Sequence, residues 1–416
     1  MKEKLKNLVR AVWSSAPYRV VLFGLDALAF RLAKPVKHGG PYSVLLAPAT
    51  GQNIGDQAMF DSVAHNTRGR IVAVVTAPSF VLRERAPHEQ LDVLELPGLI
   101  HRPPLLRFTS VYRFARVVKG AERLIGTGAD MLDGGHPHAS LARLSLFRLG
   151  VLAGIETVIQ GFSWKADAPR TVVVAIKGLS ERAQVTPRDP VSTRRLQAAG
   201  VKRIVPASDA VFSFPAEEEL YPELAAYVAA ATAAETPVVL LNTSGLIARK
   251  TDLTTDYAKV IERLHADGAR IVFLPHVLRP WDDDLIVSRR MHEAYGAEDD
   301  FLVDRRLTPA QIRRLAKSAS FSITGRMHLA ILSLSQETPA ICLATHGKVE
   351  GLFEFFDLPQ LVVEPEAGCG DLLTATAADI LKRRSEISAQ IASHLPRVRE
   401  LSALNFPYAA RETVAR

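Results

Sequence analysis

From Ser43 onward the chain alternates short runs of β-branched and aliphatic residues with stretches of helical periodicity, and it does so in two successive series. Parallel strands cannot be joined by tight turns, so this alternation predicts parallel sheets with crossover helices, an α/β fold. The first series predicts strands at 43–47, 71–75, 91–96, 123–125, 157–159 and 183–185, with helical segments near 56–66, 109–119 and 138–153. The second predicts strands at 238–241, 271–274, 321–323 and 340–343. The stretch 217–235 between them is rich in Glu and Ala and sets the expected domain boundary near 235. A length of 416 residues also exceeds one ordinary core. The expected organisation is therefore an N-terminal helical extension over 1–42, a first α/β domain over 43–235, and a second over 236–416 that ends in helices. Two facing domains of this kind bind ligand in the cleft at the carboxyl ends of their strands.

The extension carries many apolar groups, among them Val12, Trp13, Val20, Leu22, Phe23, Leu28 and Phe30. It either packs on its own domain or lies peripherally on a membrane or a partner. No run of about 20 uninterrupted apolar residues is present, which argues against a membrane span. With 48% hydrophobic and 23% charged residues the chain is ordinarily globular. Its net charge of +7 is spread along the sequence without aromatic interleaving, so nucleic acid is not the expected partner, whereas an anionic substrate or surface fits. The two cysteines, Cys342 and Cys369, have no metal or disulfide spacing, which points to a reducing, cytoplasmic setting.

Seven loops at strand ends can carry chemistry. In 321–332 a strand runs into Gly325 and then a helix, so backbone N–H groups and the helix N-terminus favour an anion. There Arg326 can fork onto a carboxylate or phosphate and His328 can move a proton, provided Arg326 is still in the turn; residues two apart on a helix diverge. In 49–59, Gly51 and Gly55 permit tight turns, Asn53 offers its amide, and Asp56 either caps the next helix or acts as a base. The loop 126–135 holds Gly128 and Asp130, a partner for a sugar hydroxyl, and Gln160 follows the next strand in the same manner. Arg188 lies between a strand and a helix that Asp189 is expected to cap. In the second series His276 and the pair His346 and Lys348 follow strands, Lys348 as a point charge for phosphate. For each of these residues a plain structural role competes with the chemical one. Two further groups are set aside: Asp282, Asp283 and Asp284 as acids favoured at a helix start, and His136 and His138 for want of further metal ligands.

In this order the segments 53–56, 126–133, 160–161, 188–192, 274–276, 325–328 and 348–351 resemble the polysaccharide pyruvyl transferase family, over roughly 43–362. The resemblance implies a glycosyltransferase-B-like pair of Rossmann-type domains facing a cleft. It implies phosphoenolpyruvate as donor, a saccharide acceptor, often lipid-linked, and a ketal-linked pyruvate on a cell-surface glycan. It further implies donor contacts from Arg326 and His328, with Arg188, His276 and Lys348 beside them, an acceptor side in the first domain, and no metal or redox cofactor. Where many members have three adjacent glycines, this chain has Gly126-Thr127-Gly128-Ala129. A nucleotide-sugar glycosyltransferase of the same architecture and a non-catalytic glycan-binding protein are the alternatives, because fold alone does not give function.

Overall fold

The computed structural model describes residues 2–36, 39–48, 52–76, 90–215, 217–344 and 347–409; Gly51 and His346 lie outside the described residues. The chain forms two compact units. One comprises Met1–Gly51, Met59–Ala210 and Leu401–Arg416, the other Gln52–Ala58 and Val211–Glu400.

The first unit is built on six parallel strands: β1 (Tyr42–Leu46), β2 (Arg70–Val75), β3 (Leu91–Glu95), β4 (Arg123–Ala129), β5 (Glu156–Phe162) and β6 (Gln184–Pro187). Their order is β3-β2-β1-β4-β5-β6. Alternate residues enter two cores. Val44, Leu46, Val72 and Val74 pack with Phe114 and Phe147, whereas Leu45, Ala73 and Val75 pack with Phe60, Val63 and Phe406. Burial on both faces is why these strands read as continuous apolar runs rather than as alternation.

The N-terminal segment forms helices Lys2–Trp13 and Ala16–Leu32, the second capped by Ser15, whose hydroxyl accepts from the Tyr18 N–H at 3.3 Å. The second helix buries Leu22, Asp26 and Ala29, and the Asp26 carboxylate pairs with Arg107 at 3.2 Å with both side chains almost fully buried. Breaking such a pair by removing one partner typically costs about 3–5 kcal/mol, so the segment is anchored to the first unit and is not a separate extension.

The second unit repeats the plan. It contains β7 (Val238–Asn242), β8 (Arg270–Phe273), a hairpin of β9 (Leu278–Arg279) and β10 (Asp282–Asp283), and then β11 (Phe301–Leu302), β12 (Phe321–Thr324), β13 (Ala340–Leu343) and β14 (Val362–Val363). The main sheet is parallel in the order β11-β8-β7-β12-β13-β14. Counted within the unit this is again 3-2-1-4-5-6, the Rossmann order. The order reverses between β1 and β4 in one unit and between β7 and β12 in the other, and in open α/β sheets ligands bind at the carboxyl ends of such strands.

The expected boundary near 235 is corrected to 210/211. The Glu- and Ala-rich stretch is not a linker: Pro222–Ala233 is a helix with Leu224, Val228 and Ala231 buried, and alanine-rich composition there serves helix propensity. The C-terminal helices are shared rather than confined to the second domain. The long helix Gly370–Ala403 bends at Arg383 (φ −111°, ψ 21°), and after it Asn405 donates to the Ser208 carbonyl at 2.9 Å in the first unit.

Candidate active site at the second switch point

In the second unit the carboxyl ends of β7 and β12 are tied together side by side. Thr324 at the end of β12 accepts from the Arg326 N–H at 2.8 Å and donates to the Asn242 side-chain carbonyl at the end of β7 at 3.1 Å. Arg326 has extended backbone (φ −117°, ψ 108°) and precedes the helix Met327–Leu334, so it is still in the turn, as a shared site with His328 requires. His328 occupies the first helical turn.

Arg326 is held on two carboxylates. Its Nη1 and Nη2 donate to Asp282 at 3.1 and 2.6 Å, while Nε and Nη2 donate to Asp284 at 3.2 and 2.5 Å. Burial works against the guanidinium charge, but Asp284 and Asp282 outweigh it and the pKa is raised. The fork that the sequence offered to an incoming anion is thus occupied by the protein's own acids, and fixes the turn that carries His328.

Asp284 is the centre of this network. Fully buried, it also accepts from Asn242 Nδ2 at 3.0 Å, from the backbone N–H groups of His276 and Val277 at 3.1 and 3.0 Å, and from the Gly245 N–H at 2.8 Å. One carboxylate therefore joins the ends of β7, β8 and β12. Asp283 behaves as a helix-start acid, accepting from the Leu285 N–H at 2.9 Å, but Asp282 and Asp284 do not, and setting all three aside missed two members of the site. The signal was their i, i+2 spacing, which in extended chain puts two side chains on one side.

His276 follows β8 and is 1% exposed, yet neither ring nitrogen has a hydrogen-bond partner among the described residues. Burial, together with His328 and Arg326, pushes its pKa well below the ordinary 6.5, so it is a neutral imidazole with one donor and one acceptor to offer. Leaving such groups unsatisfied costs about 1–3 kcal/mol each, so both ring nitrogens favour a polar partner.

The segment 52–58 completes this site rather than the first domain to which the sequence assigned it. Asn53 bridges Val277 across a short antiparallel contact, and the Ile54 N–H donates to the His276 carbonyl at 3.2 Å. Asn53 also accepts from the Gly55 N–H at 2.9 Å, closing a tight turn. A Cβ at Gly55 would lie 2.3 Å from His328 Nδ1, so only glycine lets this turn approach the imidazole. Asp56, in the first turn of helix Ile54–Asn66, pairs with Arg279 of β9 at 3.0 Å. Lys348 opens helix Lys348–Glu354 after β13, the strand beside β12.

In the first unit the switch-point loop after β4 brings Asp130 to Arg188. Arg188 is buried and donates to Asp130 at 2.7 Å, to Asp209 at 3.1 Å and to the Ser163 hydroxyl at 2.8 Å. Burial opposes its charge, but Asp130, Asp209 and Asp189 raise its pKa. Asp189 caps helix Pro190–Ala198 as expected, accepting from the Ser192 N–H at 2.6 Å. Ala129, though not a glycine, takes the left-handed conformation (φ 43°), at a cost of about 1–2 kcal/mol. Two residues expected near a ligand make structural contacts. Gly128 allows β4 and β5 to approach, since a Cβ there would lie 2.3 Å from Phe162 Cβ, and Gln160, 1% exposed, donates to the Asn405 carbonyl and to the Tyr408 hydroxyl, pinning the C-terminal segment.

Solved structures with the same fold include a UDP-N-acetylglucosamine 2-epimerase, with TM-score 0.59, 12% identity and coverage of 92% of this chain and 98% of that one. The UDP-GlcNAc 2-epimerase of Methanocaldococcus jannaschii gives TM-score 0.54 at 10% identity, covering 82% and 93%. Phytolacca americana UGT2 complexed with UDP-2fluoro-glucose and pterostilbene gives 0.56 at 11% identity, covering 90% and 99%. These likenesses establish the glycosyltransferase-B type of fold with two Rossmann-like domains. No curated protein matches the chain. The family model for polysaccharide pyruvyl transferase matches residues 53–347, a span that contains every site residue described above except Lys348, and the chain belongs to that family.

Proposed function

We propose that this protein transfers the pyruvyl group of phosphoenolpyruvate to a saccharide as a cyclic ketal, in the cytoplasmic synthesis of a cell-surface polysaccharide or glycolipid. The observation that carries the reading is His328 in the turn fixed by Arg326, beside a buried neutral His276 whose ring nitrogens lack partners among the described residues. His328 gives a proton to the methylene carbon of phosphoenolpyruvate, which makes C2 electrophilic. One sugar hydroxyl adds to C2 and loses its proton to a carboxylate, Asp56. A second hydroxyl then bonds to C2 and gives its proton back to His328, as phosphate departs with the electron pair of its bond to C2. Protonation of the methylene carbon, addition of two sugar oxygens at C2 and loss of phosphate leave the net oxidation state unchanged, so the reaction consumes no oxidant or reductant and calls on no redox cofactor.

His276 offers its N–H to the donor's anionic oxygens, and Lys348 is the further cation of the reading. Arg326 positions the turn and adds positive charge, while sharing its fork with Asp282 and Asp284. The test is phosphate release from phosphoenolpyruvate with an acceptor saccharide, comparing the native protein with folded His328→Ala. Loss of turnover is expected; unchanged turnover removes His328 from the chemistry. Thermal shifts separate the rival glycosyltransferase, which predicts stabilisation by a nucleoside diphosphate and none by phosphoenolpyruvate.

A further inference from the structure

One face of the first unit's sheet is covered by a helical layer: Lys2–Trp13 and Ala16–Leu32 pack with Phe108–Val118, Pro137–Ala153 and Arg170–Ser180. Its outer side is unusual in two independent respects. Of the fifteen large hydrophobic side chains exposed among the described residues, eleven stand on this layer or its connecting loop. Leu105 and Leu106 are 74% and 64% exposed at the tip of that loop, directly before the anchoring Arg107. Val21, Leu28 and Leu32 follow one stripe of their helix, and Leu8 and Val12 one stripe of theirs. Single exposed apolar residues are ordinary, but a concentration on one layer marks a binding surface.

The second respect is charge. The segments that build the layer, 8–36, 97–121, 134–155 and 168–182, hold fourteen Lys and Arg against two Asp and Glu, a net +12 that exceeds the +7 of the whole chain. Arg107 and Arg143 are buried, as is Asp26, which pairs with Arg107 in the interior, so twelve cations and Glu181 alone are left toward the surface. Apolar stripes interleaved with an almost purely basic field match a bilayer with anionic headgroups, in which leucines enter the acyl boundary and cations meet phosphate. A protein partner of ordinary composition would not call for so one-sided a charge, and nucleic acid would not call for the exposed leucines.

We propose that this helical layer docks the protein on an anionic membrane surface, with the loop at Leu105 and Leu106 and the outer stripes of the N-terminal helices as the inserted part. The inference stands on the surface alone and is independent of the pyruvyl chemistry.

The test is co-sedimentation of the full chain with phosphatidylcholine vesicles and with vesicles in which about a quarter of the lipid is phosphatidylglycerol. Binding to the anionic vesicles is expected, weakening as ionic strength rises above about 0.1 M. The combined Arg10→Gln, Arg31→Gln, Arg113→Gln variant should lose roughly fivefold per charge, on the order of a hundredfold in all. Leu105→Ser with Leu106→Ser, both on an exposed loop and so neutral to folding, should lose at least about tenfold. Equal binding to both vesicle types, or binding to neither, overturns the proposal. So does a doubled mass of the free protein that the Leu105→Ser, Leu106→Ser variant abolishes, which would mean a copy of this chain covers the face. Retention on duplex DNA without vesicle binding would overturn it equally.

Discussion

Replacing Asp284 by Asn keeps the shape of the side chain and changes only what its atoms can accept. In the native protein both carboxylate oxygens face donors alone: Oδ1 receives the Gly245 N–H and Arg326 Nη2, and Oδ2 receives Asn242 Nδ2, the His276 and Val277 N–H groups and Arg326 Nε. Whichever way the amide is turned, its NH2 confronts at least two of these donors. The fully buried site also loses one of the two charges that balance Arg326. Breaking a buried pair from one side costs about 3–5 kcal/mol, and Asp282 offsets part of this, so about 3 kcal/mol is expected. For a unit of this size that lowers the unfolding midpoint by roughly 6–12 °C. The neighbouring Asp283→Asn is the control, because Asn caps a helix as well as Asp and a change within about 0.5 kcal/mol is expected. Thermal unfolding gives the global value, and hydrogen exchange at the Gly245, His276 and Val277 amides reads the site directly, since these protons lose their acceptor. If Asp284→Asn and Asp283→Asn shift the midpoint equally and the three amides keep native protection, the hub assigned to Asp284 is wrong.

Gly55→Ala drives a methyl into the His328 ring and should reduce phosphate release by roughly a hundredfold through misplacement of the imidazole; native turnover would refute that contact. His276 is held neutral with its pKa well below 6.5, so the unfolded chain takes up the proton first and stability contributed by this residue is lost as pH falls below 6.5. Denaturant unfolding of His276→Gln should accordingly show a flatter acid limb than the native protein, and an unchanged slope would refute the assignment. The same sign holds for His138, which burial pushes down to about 4, so His138→Asn should also lessen the loss between pH 6.5 and that value. Arg188→Met leaves Asp130 and Asp209 without their shared cation and should destabilise the first unit by about 3 kcal/mol in chemical denaturation, whereas a neutral result would show that the three do not form one network.

The central strands could be read from the sequence because burial on both faces writes them as unbroken apolar runs, such as 44–46 and 238–241. The edge strands β11 and β14 could not, since two residues each carry no period. The boundary was misplaced for a related reason: alanine and glutamate describe a surface helix as well as a linker, and only the partners of Leu224 and Val228 distinguish them. Within the site, His328 and Arg326 stood out because an arginine and a histidine crowded behind a glycine at a strand end exceed what turn formation and helix capping require. Asp282 and Asp284 did not stand out, because helix capping alone would suffice for them. Acids beside a helix start are favoured there whatever else they do. Their true partner lies more than forty residues away in sequence, in the turn after a strand that is adjacent only once β7, β8 and β12 have paired. The crossing of 52–58 into the second unit is the same kind of fact, visible in the His328 ring that occupies the space beside Gly55 and in nothing local to the loop itself. Local chemistry thus identifies residues that are exceptional where they stand, whereas residues made functional by a distant partner become visible only through the sheet order that brings the partner to them.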